Sequence, residues 1–253
     1  MLELNVLKVG GAVVEDPAAL GRFVNNFASL QGLKVMVHGG GRTATDVSAR
    51  LGIETQMING RRVTDADTLK VVTAVYTGLV NKNIVARLQA AGVNAFGMCG
   101  ADFGFMRSVR RPITKEGIDY GFVGDVVQVN TDAVASLLEK GLVPVVAPIT
   151  HDAAGQLLNT NADTVASETA KGLSGSFDVT LTYCFEKEGV LDAEGKVIPE
   201  ITPSAFEALK ADGTIAGGMI PKLENAFAAL AAGVKAVRIT SAQSLSGGTL
   251  VVL

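Results

Sequence analysis

Apolar residues fall along this chain in two rhythms: short unbroken runs, and longer stretches where they recur every three or four positions. The first suits strands of a parallel sheet buried on both faces, and the second suits helices packed on such a sheet. Runs at Leu4–Val9, Lys34–His38, Ala95–Met98, Val143–Ala147, Val179–Thr182 and Ala236–Thr240 predict strands, and Gly247-Gly248-Thr249 leads to a last one. The first predicted helix follows Asp16-Pro17, runs from Ala18 to about Leu30, and carries Leu20, Phe23, Val24 and Phe27 on one face. Others pass through Asp46 and Arg50, run from Asp65 to about Ala91 with Thr64 as N-cap, and span Thr131–Lys140 up to Gly141. Further helices end near Lys171, span Pro203–Lys210, and run through Leu230. Between Met106 and Val129 the pattern changes to short β runs with turns, a hairpin excursion, and His151–Gly155 turns a second hairpin. The order predicts an α/β protein with one sheet shared by two lobes.

The long helix from Asp65 holds Val71, Val72, Val75, Leu79 and Val80, more apolar surface than one buried face needs, and contact with a second subunit is expected there. Two strands run straight into glycines, at Gly10-Gly11 and at Gly39-Gly40-Gly41. Glycine turns at one end of a parallel sheet let backbone N–H groups approach a ligand closely. Lys8 lies just before the first of them, inside an apolar run. Burying an unpaired ammonium costs several kcal/mol, so Lys8 either reaches solvent at the strand end or meets an anion. Asn159 to Asp163, and Gly217-Gly218 with Lys222, would join this anion site if the strand ends align.

Composition narrows the classes. At 253 residues, 48% hydrophobic and 19% charged, the chain is long enough to bury a sizeable core and is not of disordered type. A net charge of −3 gives no general affinity for nucleic acid, so an anionic ligand must be held by local lysines and arginines. Cys99 and Cys184 have no CxxC partner, which predicts buried free thiols, and no metal site is expected. The first residues lack a basic segment before an apolar one, and no apolar run approaches the roughly 18 residues of a membrane span, so a cytoplasmic protein is expected. GxxxxGK[ST] is missing, which excludes a P-loop, and the first glycines do not form GxGxxG.

Five motifs in order carry a resemblance: Leu7-Lys8-Val9-Gly10-Gly11, His38-Gly39-Gly40-Gly41, Asn59-Gly60-Arg61-Arg62-Val63-Thr64, Asn159-Thr160-Asn161-Ala162-Asp163 and Gly218-Met219-Ile220-Pro221-Lys222. The set resembles the amino-acid kinase family, within it the enzymes that phosphorylate N-acylglutamates. The resemblance implies an open αβα sandwich, with residues 1–173 binding the acylglutamate and mediating dimerisation and residues 174–253 binding ATP. It implies transfer of phosphate from ATP to the side-chain carboxylate of an N-acylated glutamate (N-acetyl, or N-succinyl) in arginine biosynthesis. Another carboxylate or carbamate acceptor, or a non-catalytic amino-acid or nucleotide sensor of the same fold, stays open. By this resemblance Lys8 and Lys222 flank the transferring group and Asp163 holds both. Gly39, Gly40, Gly41, Arg62 and Asn159 bind the acylglutamate, while Gly10, Gly11, Thr182, Tyr183 and Gly218 bind the nucleotide, whose phosphates carry Mg²⁺. A carboxylate acceptor is ionised at pH 7 and needs no general base. His38 is assigned no chemistry.

Where the family carries Thr-Asp-Val-x-Gly-Val-Leu, this chain has Thr182-Tyr183-Cys184-Phe185-Glu186-Lys187-Glu188-Gly189-Val190-Leu191. Tyr183 stands in the place of the aspartate, the loop is two residues longer, and Glu186 is the candidate to supply the carboxylate. Arg107, Arg110 and Arg111 suggest room for an acyl group with its own carboxylate. The chain begins almost at its first strand, without the N-terminal helix of the family's arginine-inhibited hexamers, and a homodimer is expected.

Overall fold

A computed structural model describes residues 1–217 and 219–253; the expectation for Gly218 lies outside the described residues. Eight strands form the central sheet. They are β1 (Glu3–Val9), β2 (Leu33–His38), β5 (Ala95–Cys99), β8 (Val143–Ala147), β11 (Asp178–Phe185), β12 (Glu200–Ile201), β13 (Ala236–Ser241) and β14 (Thr249–Val251), in the order β12-β14-β13-β11-β1-β2-β8-β5. All neighbours pair in parallel except β13 and β14. β1 lies at the middle, with β2 on one side and β11 on the other.

Alternate residues of β1 feed two cores. Leu4 and Val6 pack with α6 (Asp132–Glu139), α7 (Ala162–Leu173), α8 (Pro203–Ala211) and α9 (Met219–Ala231) through Val134, Leu138, Ala166, Phe206 and Leu223. Leu7 and Val9 pack with α2 (Pro17–Ser29), α3 (Gly41–Arg50), α4 (Ala66–Thr73) and α5 (Asn81–Ala90) through Phe23, Phe27, Ala44, Val72 and Ile84. Helices therefore cover both faces, which is the expected αβα sandwich. The short helix α1 (Gly11–Glu15) starts directly at the first glycine turn.

Four features depart from the sequence expectations. The two hairpins leave the central sheet, as expected of the first, but they do not stand apart from each other. β6 (Met106–Arg110), β7 (Gly124–Val129), β9 (Ile149–His151) and β10 (Leu157–Asn159) join in a separate four-stranded sheet of order β10-β9-β6-β7. Another hairpin, β3 (Met57–Ile58) with β4 (Arg61–Arg62), turns at Asn59 and Gly60, both at positive φ, as the Asn-Gly pair of a tight hairpin requires. Asp65, not Thr64, caps α4, accepting from Thr68 N at 2.7 Å. Thr64 instead pairs with the loop at Gly121. The long helix is also not uniform: residues Ala74–Val80 between α4 and α5 are π-helical. Of its five surplus apolar residues, Val71, Val72, Val75 and Val80 are buried within the chain and only Leu79 is exposed, so intramolecular packing accounts for most of the surplus.

Candidate active site

The carboxyl ends of β1, β2 and β11 bring the site together. Lys8 is next to last in β1, on the face covered by α7, and only 9% exposed. Its Nζ lies 2.8 Å from Asp163 Oδ1, an ion pair off the hydrogen-bond line that leaves Oδ1 without another donor. Asp163 is held there by the start of α7. Asn161 caps that helix, its Oδ1 accepting from Asp163 N at 2.8 Å and Thr164 N at 3.2 Å, and an acidic residue in the first turn is favoured by the helix dipole. Lys222, in the first turn of α9, comes from the other half of the sheet. Its Nζ sits 3.8 Å from the ring centroid of Phe185, and Lys8 Nζ sits 5.6 Å from the same centroid. Burial pulls the Lys222 ammonium below its ordinary pKa; Asp163 opposes that shift and Lys8 adds to it. One carboxylate and two ammonium groups from opposite halves thus meet around one aromatic ring.

Two cavities open beside this group. The first, about 200 Å³, has Gly39, Gly40, Gly41, Arg61, Arg62 and Asn159 among its lining residues. Arg62 is 8% exposed. Its guanidinium donates to Thr55 Oγ1 at 3.1 Å, Gly41 O at 2.8 Å and Thr45 Oγ1 at 2.9 Å, and no carboxylate pairs with it among the described residues. A buried, oriented cation of this kind is a receptor for an anion. Asn159 donates to Thr64 Oγ1 at 3.0 Å, and Thr64 Oγ1 donates to Arg62 O at 3.1 Å, so the polar wall is braced from behind. The second cavity, about 480 Å³, is lined by Gly10, Gly11, Phe185, Glu186, Met219 and Lys222 among others. The two glycine turns abut: a Cβ on Gly39 would lie 3.3 Å from Gly11 N.

Two predicted residues do not line the second cavity. β11 runs three residues past its expected end, so Thr182 and Tyr183 are inside the sheet, 4% and 2% exposed. Tyr183 stacks on Phe185 beneath the lysines, and its phenol is pushed up by burial and by Asp163. Phe185 and Glu186 take over the lining. The arginines of the excursion are likewise elsewhere. Arg110 pairs with Asp119 and Arg111 with Asp125, and none of Arg107, Arg110 and Arg111 lines the first cavity. Arg61 does. The β3–β4 hairpin that presents Arg61 and Arg62 is not among the expected elements, although Asn59-Gly60 is the signal of such a turn. Both cysteines are free and buried, their thiols pushed up to about 11 and about 12, so neither is a nucleophile at neutral pH. Among the described residues no helix is long and apolar enough to cross a membrane.

A doubly covered parallel sheet, with glycine turns and two lysines at its carboxyl edge, is the build of an anion-binding α/β phosphotransferase. The chain belongs to the amino acid kinase family, whose model matches residues 3–241. It is 61% identical to the acetylglutamate kinase of Bacteroides thetaiotaomicron over 246 residues, covering 96% of this chain and 95% of the relative. It is 39% identical to that of Methanopyrus kandleri, over 97% of this chain and 98% of the relative. A crystal structure from Streptococcus mutans UA159 superposes with a TM-score of 0.80 at 30% identity, covering 98% of both chains.

Proposed function

We propose that this protein transfers the γ-phosphoryl group of ATP to the side-chain carboxylate of N-acetyl-L-glutamate, giving an acyl phosphate and ADP for arginine biosynthesis. The observation that carries the reading is the pair of ammonium groups, Lys8 and Lys222, gathered around Asp163 and Phe185 between two cavities. In the reaction a carboxylate oxygen forms the new P–O bond as the bond from phosphorus to the ADP oxygen breaks. The attacking group is already an anion, so no proton need be removed. Catalysis then rests on alignment and on charge neutralisation. Arg62 and the Gly39–Gly41 turn hold the acylglutamate in the first cavity. Gly10 and Gly11 hold the nucleotide's phosphates in the second, Lys8 and Lys222 neutralise the charge in flight, and Asp163 keeps the lysines apart yet convergent. Mg²⁺ would be carried by the phosphates of ATP, as that ion commonly is, and would neutralise part of their charge. The acylglutamate lobe comprises residues 1–173 and the ATP lobe residues 174–253, and the protein works as a homodimer in the cytoplasm.

One observation favours a second acyl group. Arg61, on the wall of the first cavity, is pulled below its ordinary pKa by burial and by the neighbouring Arg111, with Asp125 and Tyr120 opposing the shift, and makes no ion pair among the described residues. A succinyl carboxylate would supply its counter-charge. The test is ATP consumption with the product trapped as hydroxamate, comparing N-acetylglutamate, N-succinylglutamate, glutamate and carbamate. Turnover of either N-acylglutamate over the other two supports the reading. Turnover with none, or with carbamate alone, overturns it.

A further inference from the structure

We propose that His38 is a positioning residue. Its neutral imidazole fixes the Gly39 peptide so that the Gly40 N–H faces the first cavity, and Asn81, delivered by the π-helical segment, fixes the imidazole. The inference deepens the kinase reading and rests on it for the identity of the ligand.

The hydrogen bonds around His38 admit one arrangement. His38 ends β2 and is fully buried. Its Nδ1 lies 2.7 Å from Gly39 O. A carbonyl oxygen only accepts, so Nδ1 carries the hydrogen. Its Nε2 lies 3.1 Å from Asn81 Nδ2, which also donates to Val145 O at 2.9 Å. An amide nitrogen only donates, so Nε2 accepts. Lys82 Nζ lies 3.2 Å from the other end of the Asn81 amide, Oδ1, and an ammonium only donates, which fixes the amide's orientation as well. Both ring nitrogens and both ends of the amide agree on one neutral tautomer, with hydrogen on Nδ1.

The consequence for the cavity follows from peptide planarity. Gly39 C=O and Gly40 N–H belong to one planar trans unit and point in opposite directions. With the carbonyl tied to a buried ring, the N–H must point away from the core. It has no protein acceptor among the described residues, and Gly39, Gly40 and Gly41 line the first cavity beside Arg62. An N–H aimed there favours an oxyanion. The π-helical segment presses on the same turn. A Cβ on Gly40 would come within 3.2 Å of Tyr76 and 3.3 Å of Val80, both in that segment, and Asn81 follows it directly. π-helical turns recur at functional sites because the added residue re-aims the side chains after it. Here the re-aimed side chain is Asn81.

A histidine that merely fills space would give a different result in two measurements. In wild type, ¹⁵N shifts of the His38 ring, separated from those of His151 by the H151N variant, are expected to report the neutral Nδ1-protonated form. The Gly40 amide resonance is expected to move on saturation with N-acetylglutamate. Asparagine at position 38 sets an N–H where Nδ1 stands, whereas glutamine reaches only toward Asn81. H38Q is therefore expected to lose about 10- to 100-fold in kcat/KM, mainly through KM, while H38N keeps most of the activity. An Nε2-protonated ring, an unmoved Gly40 amide, or equal losses in the two variants would overturn the proposal. The tautomer needs no change at position 38 and no substrate, so it decides the point even if wild type turns over no acylglutamate, a failure that would strike the kinase reading instead.

Discussion

At the scale of single residues, the proposed reaction divides the site into groups that would bind substrate and groups that would neutralise the transferring charge. Lys8 is a compact cation whose place is set by Asp163 at 2.8 Å, so arginine, longer and planar, cannot reproduce it. K8R is expected to lower kcat at least about 100-fold with little change in KM for N-acetylglutamate, since the lost contact matters in the transition state. Arg62 grips with a fork already fixed by three acceptors. R62K is expected to raise that KM about tenfold and leave kcat closer to wild type. Steady-state kinetics of the two variants checks the contrast, and the same pattern in both would contradict it. His38 gives a pH signature of stability. Burial pushes its pKa down to about 4, against about 6.5 in an unfolded chain. Between those values the unfolded chain binds the extra proton, so stability is intact above pH 6.5 and falls as pH drops toward 4, by roughly 3 kcal/mol in all. Urea unfolding across that window should show wild type losing this amount relative to H38N; parallel curves would contradict it. The motifs made Lys8, Asp163, Lys222 and Arg62 legible in the sequence because each motif couples a charged residue to a glycine turn or helix start. Thr182 and Tyr183 do not line the cavity because Tyr-Cys-Phe continues the strand past Thr182, and only the pairing of β11 with β1 and β13 shows that it ends at Phe185.

At the scale of elements, the start of α7 matters most, since one turn both caps a helix and aims Asp163. Asn161 serves two backbone amides, and its loss leaves them unsatisfied. N161A is expected to cost about 1 kcal/mol of stability and to lower kcat more than N161D, which keeps the cap. Chemical denaturation with kinetics on both variants checks this, and equal kcat values would contradict the link between cap and carboxylate. Periodicity read most helices within a few residues because their apolar faces are regular. It missed the π-helical turn within 66–90, since a π segment keeps helical spacing and differs only in one added residue. Thr64 and Asp65 were exchanged as cap because both suit the role, and the pairing of Thr64 with Gly121, far along the chain, decided between them.

At the scale of the whole molecule, the central sheet was legible because its strands are uniform apolar runs. The second sheet was not, because each of its hairpins is local but their pairing joins β6 to β9 across more than 40 residues of chain. That small sheet completes one wall of the first cavity, through Asn159 of β10 and Val123 just before β7, so chain far from the glycine turns helps shape the proposed substrate pocket. The exposed Leu79, Val109 and Val127 are candidates for the homodimer face, and a monomer in sedimentation equilibrium would remove that proposal. The proposed catalysis requires ammonium groups from the two halves of the sheet to converge on one phosphoryl group. A crystal structure with N-acetylglutamate, Mg²⁺·ADP and a planar fluoride mimic of that group tests it most directly. Both Lys8 Nζ and Lys222 Nζ are expected within about 3 Å of the mimic, with Asp163 still against Lys8. Either lysine turned away from it would contradict the proposed transfer.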